Sequence, residues 1–453
     1  HRAKQAKDYF LLVGPPGTGK TSMALQYLVK EELATGGTDA SILLTAYTNR
    51  AVDEICGMLA DTHLSFIRLG NAYTCDQRFL PYLLRQAVDD CPQRSAVRER
   101  LLSTPIIVGT TSTLQSRPFL FDLKRFSLAI VDEAGQIPEP RLIGLLASHR
   151  GSDALPDIAR FILVGDHKQL PAVVQQNPAD TVVNDVQLHR IGLEDCRESL
   201  FERLLRLERR AGRNAFVGIL YRQGRMHPDI ADFPVRFFYA EEALIPVPCA
   251  HQTEPELGYR LPAQDALDKL LKTQRMLFLP SSPSDSPNIS DKVNPQEAAI
   301  VCDLLRRLHR FYGDAFDPTR TVGIIVPYRN QIAMIRRGIE RLGIESLNEI
   351  TIDTVERYQG SQRDVIIYSF TVTHRYQLDF LTGNCFVENG RMVDRKLNVA
   401  LTRARKQLIL TGCLSVLSAN TLFRQLIQHI RQRGGFVTSM SAVDICSANS
   451  HRL

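Results

Sequence analysis

The sequence predicts an α/β protein with two domains, each a mostly parallel sheet flanked by helices. Short, nearly continuous apolar runs alternate with segments of helical spacing, which is the pattern of strands buried on both faces of a parallel sheet. Clusters of polar residues follow several of these runs, at the strand ends where ligands bind in such sheets. A chain of 453 residues is long enough for two or three domains of this kind.

The first domain is assigned to residues 1–215, with strands expected over residues 9–13, 41–45, 105–109, 126–131 and 161–164. Within it, residues 57–104 are polar and weakly patterned, and we expect a small, mostly helical insertion there. The second domain is assigned to residues 216–453, with strands over 321–326, 349–355, 364–370 and 407–410. Residues 241–293 are expected to be rich in loops, and a helix is expected to begin at Asn294, because Pro295 and Glu297 follow this capping residue.

A glycine-rich loop lies between the strand at residues 9–13 and a helix expected from Ser22 onward. It consists of Gly14, Pro15, Pro16, Gly17, Thr18, Gly19, Lys20 and Thr21. In this context the backbone N–H groups of such a loop surround phosphate oxygens, and the helix N-terminus adds a positive dipole end. Lys20 is expected to reach the β- and γ-phosphates of ATP, and the Thr21 hydroxyl to bind Mg²⁺. The alternative is a glycine-rich turn beside an unrelated lysine.

Two neighbouring carboxylates, Asp132 and Glu133, follow the strand expected at residues 126–131. In ATP-hydrolysing sites one carboxylate holds Mg²⁺ through its water shell, and its neighbour orients and deprotonates the attacking water. We therefore expect Thr21 and Asp132 to form the metal site and Glu133 to act on the water. Gln169 follows the strand at 161–164 and is a neutral group that can contact both water and γ-phosphate. A surface acidic pair and a capped turn are the alternatives.

Composition limits the possible partners and compartments. Lysine and arginine number 55 against 49 aspartates and glutamates, and the resulting net charge of +6 permits a polyanionic partner without requiring one. No apolar run is long enough for a membrane span, and the nine cysteines form no Cys-x-x-Cys pair. We expect no membrane partner and a reducing intracellular location, the cytoplasm first and the nucleus as the alternative. Because His1 stands close before the glycine loop, we also expect an N-terminal accessory region of a larger parent chain to be missing.

Seven stretches of the chain resemble the motifs of superfamily 1 helicases and follow the order that these motifs have in the family. They are Gly14–Thr21, Ala46–Asp53, Asp132–Gln136, Gly165–Pro171, Gln223–Pro228, Val355–Gln362 and Leu397–Arg405, similar to motifs I, Ia, II, III, IV, V and VI. The resemblance covers nearly the whole chain. It is closest to the branch that contains the nonsense-mediated-decay RNA helicase and the DNA-replication helicase-nuclease.

This resemblance implies two tandem RecA-like domains, ATP in the cleft between them, and single-stranded nucleic acid that crosses both domains in a 5′→3′ reaction. It also implies that Arg225 and Arg403 supply positive charge to the transition state, with Arg405 as a further candidate, and that Gln359 and Gly360 bind the nucleotide and couple it to the nucleic acid. The nucleic-acid contacts implied by position are Thr48, Asn49, Thr110, Thr111, Pro327, Tyr328 and Thr354.

Three positions depart from the family pattern. Gly224 stands where motif IV usually has a tyrosine, Gln362 where motif V usually has an acidic residue, and Ala172 where motif III often has a second proline. A glycine has no ring to stack on an adenine, so the first departure predicts weak discrimination between ATP and GTP.

Three functions are compatible with these features. The leading hypothesis is an ATP-dependent helicase or translocase on single strands. The second is an ATP-gated nucleic-acid clamp that does not unwind, and the third is a P-loop ATPase that remodels protein partners. The arginine-bearing motifs of the second domain disfavour the third hypothesis. The choice between DNA and RNA stays open, because residues that contact the backbone look alike for both.

Overall fold

The computed structural model describes residues 2–37, 40–148, 156–282 and 290–438, which form two compact units divided after Tyr221. Each unit contains a parallel sheet flanked by helices, so the predicted α/β class is confirmed. The division lies later than residue 215, because the strand Val217–Ile219 pairs in parallel with Tyr9–Val13 of the first unit. Within the described ranges, no helix combines the length and apolar character needed to cross a membrane.

The first unit is built on a seven-stranded parallel sheet in the order β3-β4-β2-β5-β6-β1-β7. Its strands are β1 (Tyr9–Val13), β2 (Ile42–Ala46), β3 (Phe66–Arg68), β4 (Ile106–Thr110), β5 (Leu128–Val131), β6 (Phe161–Gly165) and β7 (Val217–Ile219). Every residue of β2, β4 and β5 is buried, as expected for strands covered on both faces.

Helices cover both faces of this sheet. They are α1 (Arg2–Gln5), α2 (Gln26–Gly36), α3 (Asn49–Asp61), α4 (Leu84–Ala87), α5 (Arg94–Ser103), α6 (Thr111–Gln115), α7 (Phe119–Leu123), α8 (Glu139–Leu146), α9 (Val186–Arg190) and α10 (Leu200–Arg210). One apolar cluster includes residues of α8 and α10 with one face of the sheet, and a second includes residues of α2 and α3 with the other face. All the strands are parallel, so their carboxyl ends lie at one edge of the sheet.

The second unit has a five-stranded parallel sheet in the order β10-β16-β13-β11-β12. A parallel pair, β8 with β9, and an antiparallel hairpin, β14 with β15, stand outside it. The strands are β8 (Arg222–Gln223), β9 (Ile245–Pro246), β10 (Met276–Ser281), β11 (Val322–Val326), β12 (Thr351–Thr354), β13 (Arg363–Ser369), β14 (Cys385–Glu388), β15 (Arg391–Asp394) and β16 (Ala404–Cys413).

The helices of the second unit complete its two outer layers. They are α11 (Pro228–Phe237), α12 (Ala250–Thr253), α13 (Ala266–Thr273), α14 (Pro295–Tyr312), α15 (Arg329–Leu342), α16 (Val355–Tyr358), α17 (Gln377–Leu381), α18 (Arg395–Leu401), α19 (Leu414–Leu417) and α20 (Thr421–Gln432). The predicted start of α14 is confirmed, since the Asn294 side chain accepts a hydrogen bond from Glu297 N at 3.1 Å.

The strands that the sequence analysis does not predict include β3 and β10. β3 falls inside the segment expected to be a helical insertion, and its Arg68 is 1% exposed and pairs with Asp53 at 2.8 Å. β10 falls inside the segment expected to be rich in loops, of which residues 283–289 lie outside the described residues. The helix expected from Ser22 begins instead at Lys20, with a π-helical turn, Lys20–Leu25, before α2.

Candidate functional site

The glycine-rich loop follows β1 and has the backbone conformation that its glycines permit. Gly17 and Gly19 have φ angles of 75° and 73°, in the left-handed region that other residues avoid. A Cβ atom on Gly14 would lie 2.2 Å from Cγ of Lys20, so the path of the lysine side chain requires glycine there. The Gly14 N–H donates to Gly165 O at 2.9 Å, which ties the start of the loop to the end of β6.

The end of the loop sets the position of Lys20. The π-helical turn starts here, with Ala24 N donating to Gly19 O at 2.9 Å. Lys20 Nζ donates to Gly14 O at 2.7 Å and lies 4.0 Å from a carboxylate oxygen of Glu133. The lysine ammonium therefore lies between the loop backbone and the residues that follow β5, which is where a phosphate held by the loop would carry its charge.

Asp132 is the most deeply buried carboxylate at this edge of the sheet. It is 1% exposed, and its N–H donates to Thr45 O of β2 at 2.8 Å. Its two carboxylate oxygens accept hydrogen bonds from Thr21 Oγ1 at 2.6 Å and from Glu133 N at 2.9 Å. Burial first, and then the charge of Glu133, raise the pKa of Asp132 to about 6.

These groups fit the Mg²⁺ and ATP that the sequence predicts. Mg²⁺ prefers hard oxygen ligands, which the Thr21 hydroxyl and the Asp132 carboxylate provide. A carboxylate that burial disfavours in its charged form is stabilised by a neighbouring cation. The two residues expected from sequence to hold the metal are hydrogen-bonded to each other, so the structure brings this predicted pair together.

Glu133 is held differently from its neighbour. Its φ angle is 51°, which is uncommon for a residue other than glycine and is a conformation found at functional sites. Its side chain is partly exposed, and one carboxylate oxygen accepts a hydrogen bond from Gln136 Nε2 at 3.1 Å. The bend turns the Glu133 side chain toward Lys20, whereas Asp132 stays within the sheet edge. Gln136 was not assigned a role from the sequence, although it closes the motif that contains both carboxylates.

Gln169 lies on the neighbouring strand end, as predicted. It is 3% exposed, and its Nε2 donates to a carboxylate oxygen of Asp166 at 2.8 Å. The other oxygen of Asp166 accepts from Lys168 N at 3.0 Å, so Asp166 holds this turn and orients the glutamine. Asp166 is the residue that the sequence interpretation missed. The signal was present, because Asp166 stands in the same short polar run as Gln169.

The second unit places its predicted nucleotide residues at the amino ends of β13 and β16. Arg225 is half-buried, and its guanidinium donates to Gln362 Oε1 at 2.9 Å and to Thr402 O at 3.3 Å. Arg403 is 1% exposed, and its Nε donates to Val399 O at 3.0 Å. At the position where the family usually has an acid, Gln362 makes the hydrogen bond to Arg225 without adding a negative charge.

Gln359 and Gly360 lie in the same region of the second unit, between α16 and β13. Gly360 has a φ angle of 81°, so the turn after Gln359 requires glycine. Among the described residues, the buried Nε2 of Gln359 has no hydrogen-bond partner. An unsatisfied buried donor is costly, and a ligand oxygen would satisfy it.

The residues expected to contact nucleic acid lie at the carboxyl ends of strands in both units, but they differ in exposure. In the first unit, Thr48 is exposed and caps α3, while Asn49 is half-buried. Thr110 and Thr111 are buried, at 7% and 0% exposure, and the Thr110 hydroxyl caps α6. The packing of α6 withdraws both hydroxyl groups from solvent, and the assignment of Thr110 and Thr111 as nucleic-acid contacts stays a prediction.

In the second unit, Pro327 is buried, and Thr354 and Tyr328 are half-buried. The Tyr328 ring stacks on Phe380, with ring centroids 5.1 Å apart and an angle of 21° between the planes. Tyr328 is therefore a packed ring that supports a more exposed neighbour, Phe380.

Comparison with known proteins agrees with this geometry. Two family models, each described as an AAA domain, match residues 1–96 with 90–177 and residues 196–415. The DNA replication ATP-dependent helicase/nuclease DNA2 of Bos taurus is 31% identical over 446 residues, which are 94% of this chain and 37% of that protein. The corresponding protein JHS1 of Arabidopsis thaliana is 29% identical over 439 residues, 95% of this chain and 29% of that protein. The protein mov-10-B.2 of Danio rerio is 28% identical over 482 residues, 96% of this chain and 43% of that protein.

The glycine loop and the buried aspartate on a parallel sheet define a P-loop protein. The chain belongs to superfamily 1 of the helicases, and the resemblance found in its motifs is confirmed. It spans well under half the length of these relatives, at 37% of the Bos taurus protein.

The two candidate arginines should differ in how their loss affects the protein. Arg225→Ala is expected to lower kcat by at least about a hundredfold, because an arginine at the transition state contributes roughly 10³–10⁵. The melting temperature should stay unchanged, because this side chain is half-buried. Arg403→Ala is expected to lower both kcat and the melting temperature, because Val399 O loses its buried donor. Steady-state ATPase assays and calorimetry measure the two quantities.

The matched control is Arg424→Ala, which removes an exposed arginine of the second unit. Normal turnover in Arg403→Ala would remove this residue from the catalytic set and leave Arg225 or Arg405. Normal turnover in Arg225→Ala would exclude Arg225 in the same way.

Proposed function

We propose that this chain is an ATP-dependent helicase or translocase that acts on single-stranded nucleic acid in the 5′→3′ direction. The observation that carries the proposal is the hydrogen bond of 2.6 Å between Thr21 and the buried carboxylate of Asp132. It joins the glycine loop to the acidic motif in the arrangement that a Mg²⁺-ATP site requires. The relatives are named as helicases, which supports the same class of activity for this chain.

The residues of the first unit would share the work of hydrolysis. The loop N–H groups and Lys20 would hold the phosphates, and Thr21 and Asp132 would hold Mg²⁺, which would supply charge neutralisation when bound. Glu133, bent away from Asp132, orients the attacking water and accepts its proton. Gln169, oriented by Asp166, contacts the same water.

The second unit would contribute positive charge and coupling. Arg225 and Arg403 are proposed to stabilise the transition state, and Gln359 and Gly360 to bind the nucleotide. These residues lie at the amino ends of β13 and β16, whereas Pro327, Tyr328 and Thr354 lie at the carboxyl ends of β11 and β12. The helices α16 and α18 connect the two edges of the second sheet. Nucleic acid bound at the carboxyl edge could therefore move the residues at the amino edge through these helices.

Single strands are expected to raise the ATPase rate by at least about tenfold, because the coupling path through α16 and α18 is engaged only when a strand is bound. The experiment compares matched DNA and RNA oligonucleotides of equal length, with Lys20→Ala as the inactive control. The larger stimulation identifies the preferred nucleic acid. Equal rates with and without either oligonucleotide would contradict the proposal and favour an ATPase that acts on protein partners.

A strand-displacement assay on tailed duplexes then tests movement. Displacement that needs a 5′ tail supports the proposed direction, and displacement that needs a 3′ tail contradicts it. Stimulated ATPase without displacement from either tail would indicate a translocase or an ATP-gated clamp.

Base selectivity is expected to be weak, with kcat/KM for ATP within about tenfold of that for GTP. Gly224 offers no ring to stack on the base, and the nearest ring in the sequence, Tyr221, is 49% exposed. A Cβ atom on Gly224 would lie 3.5 Å from Cys249 Sγ, an ordinary contact, so the backbone there accepts a Cβ atom without a clash. Gly224→Tyr should therefore increase the preference for one base, as measured by kcat/KM with ATP and GTP.

A hundredfold preference for ATP in the unaltered protein would contradict this expectation. The ratio of kcat/KM for ATP to that for GTP in Tyr221→Ala would then show whether that ring binds the base.

A further inference from the structure

The second unit exposes two aromatic rings at one place on its surface. Within its described residues, Tyr376 and Phe380 are the two strongly exposed aromatic side chains, at 60% and 47%. They follow β13, the central strand of the sheet, and Phe380 lies on α17. They therefore stand at the carboxyl edge of the sheet, beside Tyr328. Exposed apolar side chains that lie together mark surfaces that other molecules cover, whereas single exposed rings are common on protein surfaces.

Each ring is already stacked on one neighbour. Tyr376 lies 5.5 Å from the His374 ring with 27° between the planes, and Phe380 lies 5.1 Å from Tyr328 with 21° between the planes. Phe380 is the more exposed ring of its pair because Tyr328 is half-buried, whereas His374 is exposed like Tyr376.

Hydrogen bonds to neighbouring residues hold the loop that carries these rings, residues 371–380. The Tyr376 hydroxyl donates to a carboxylate oxygen of Asp291 at 2.6 Å, and Gln377 Oε1 accepts from Thr373 N at 2.8 Å. At the start of the loop, Thr371 has a φ angle of 55°, and its N–H donates to the fully buried carboxylate of Glu297 at 2.8 Å. A loop fixed in this way loses little conformational entropy when a partner binds.

Positive charge accompanies the rings. Arg375 is exposed between His374 and Tyr376, and Lys396 Nζ lies 4.1 Å from the centroid of Phe380. Lys396 also lies 3.4 Å from Glu356 of α16. Interleaved aromatic and basic side chains at one edge are the pattern of surfaces that bind single strands by stacking on bases and neutralising phosphates.

We propose that Tyr376 and Phe380 form a base-stacking platform for the single strand, with His374 and Tyr328 supporting the two rings. This inference rests on the proposed function and adds a contact to bases, whereas Thr48, Asn49 and Thr354 would contact the backbone. Stacking tolerates any base because every base has an aromatic face, so the platform would not confer sequence specificity.

The experiment measures binding of two strands with equal phosphate number to the full chain. One is a labelled oligo(dT), and the other is the same backbone without bases. Fluorescence anisotropy should give tighter binding of the strand with bases. In Tyr376→Ala and Phe380→Ala, affinity for oligo(dT) should fall by about 5- to 150-fold, the range observed for one stacked base. Affinity for the abasic strand should be unchanged.

Two further variants serve as controls. Tyr376→Phe keeps the ring and should keep most of the affinity. Tyr73→Ala removes an aromatic ring that is 97% exposed in the first unit, and it should bind both strands normally.

The outcomes separate this inference from the proposed function. Equal binding of both strands, unaffected by the two alanine variants, would overturn the platform and leave the nucleic-acid ATPase intact. Failure to bind either strand would instead remove the proposed function on which the inference rests. An equal loss of affinity for oligo(dT) and for the abasic strand in the alanine variants would also contradict the platform. It would indicate that the substitutions damage the phosphate-binding surface.

Discussion

The hydrogen bond from Thr21 to Asp132 joins the end of the glycine loop to the end of β5, and the chemistry of the first unit depends on it. It exists because parallel strands bring their carboxyl ends to a single edge. There the loop after β1, the carboxylates after β5 and the turn after β6 meet in one layer. The burial of Asp132 raises its pKa to about 6, because burial disfavours the charged carboxylate. A cation bound beside it would stabilise that charged form. The proposed Mg²⁺ site would meet this need with the Thr21 hydroxyl and the Asp132 carboxylate.

In the second unit, two helices connect the carboxyl edge of the sheet to its amino edge. α16 leaves the carboxyl edge at Thr354 and ends near β13, and α18 (Arg395–Leu401) leads to Arg403 at the start of β16. Lys396 contacts both Phe380 and Glu356, so the two helices are linked where they begin. At their other ends, the side chains of Arg225 and Arg403 bond to backbone carbonyls and to Gln362. A shift of either helix would move these guanidinium groups, which gives the proposed coupling a physical route.

Most of this architecture could be predicted from the sequence, because buried parallel strands have a strong apolar signal and the motifs lie at their ends. The exceptions have identifiable causes. β10 contains Pro280, which is a loop signal but is tolerated here because β10 is an edge strand. β3 is short and includes an arginine, whose burial is compensated in part by the ion pair of Arg68 with Asp53. The burial of Thr111 depends on how α6 packs, and nothing in the local sequence indicates it.

We propose that Asp132 and Glu133 have separate roles, one in binding the cation and the other in activating the water. The most direct test is the pair of variants Glu133→Gln and Asp132→Asn, measured for Mg²⁺-dependent ATP binding and for turnover. Glu133→Gln should bind ATP with an affinity close to that of the unaltered protein and lose at least about a hundredfold in turnover, because only the water-activating carboxylate is neutralised. Asp132→Asn should lose the dependence of binding on Mg²⁺. Normal turnover in Glu133→Gln, or unchanged Mg²⁺ dependence in Asp132→Asn, would contradict the account.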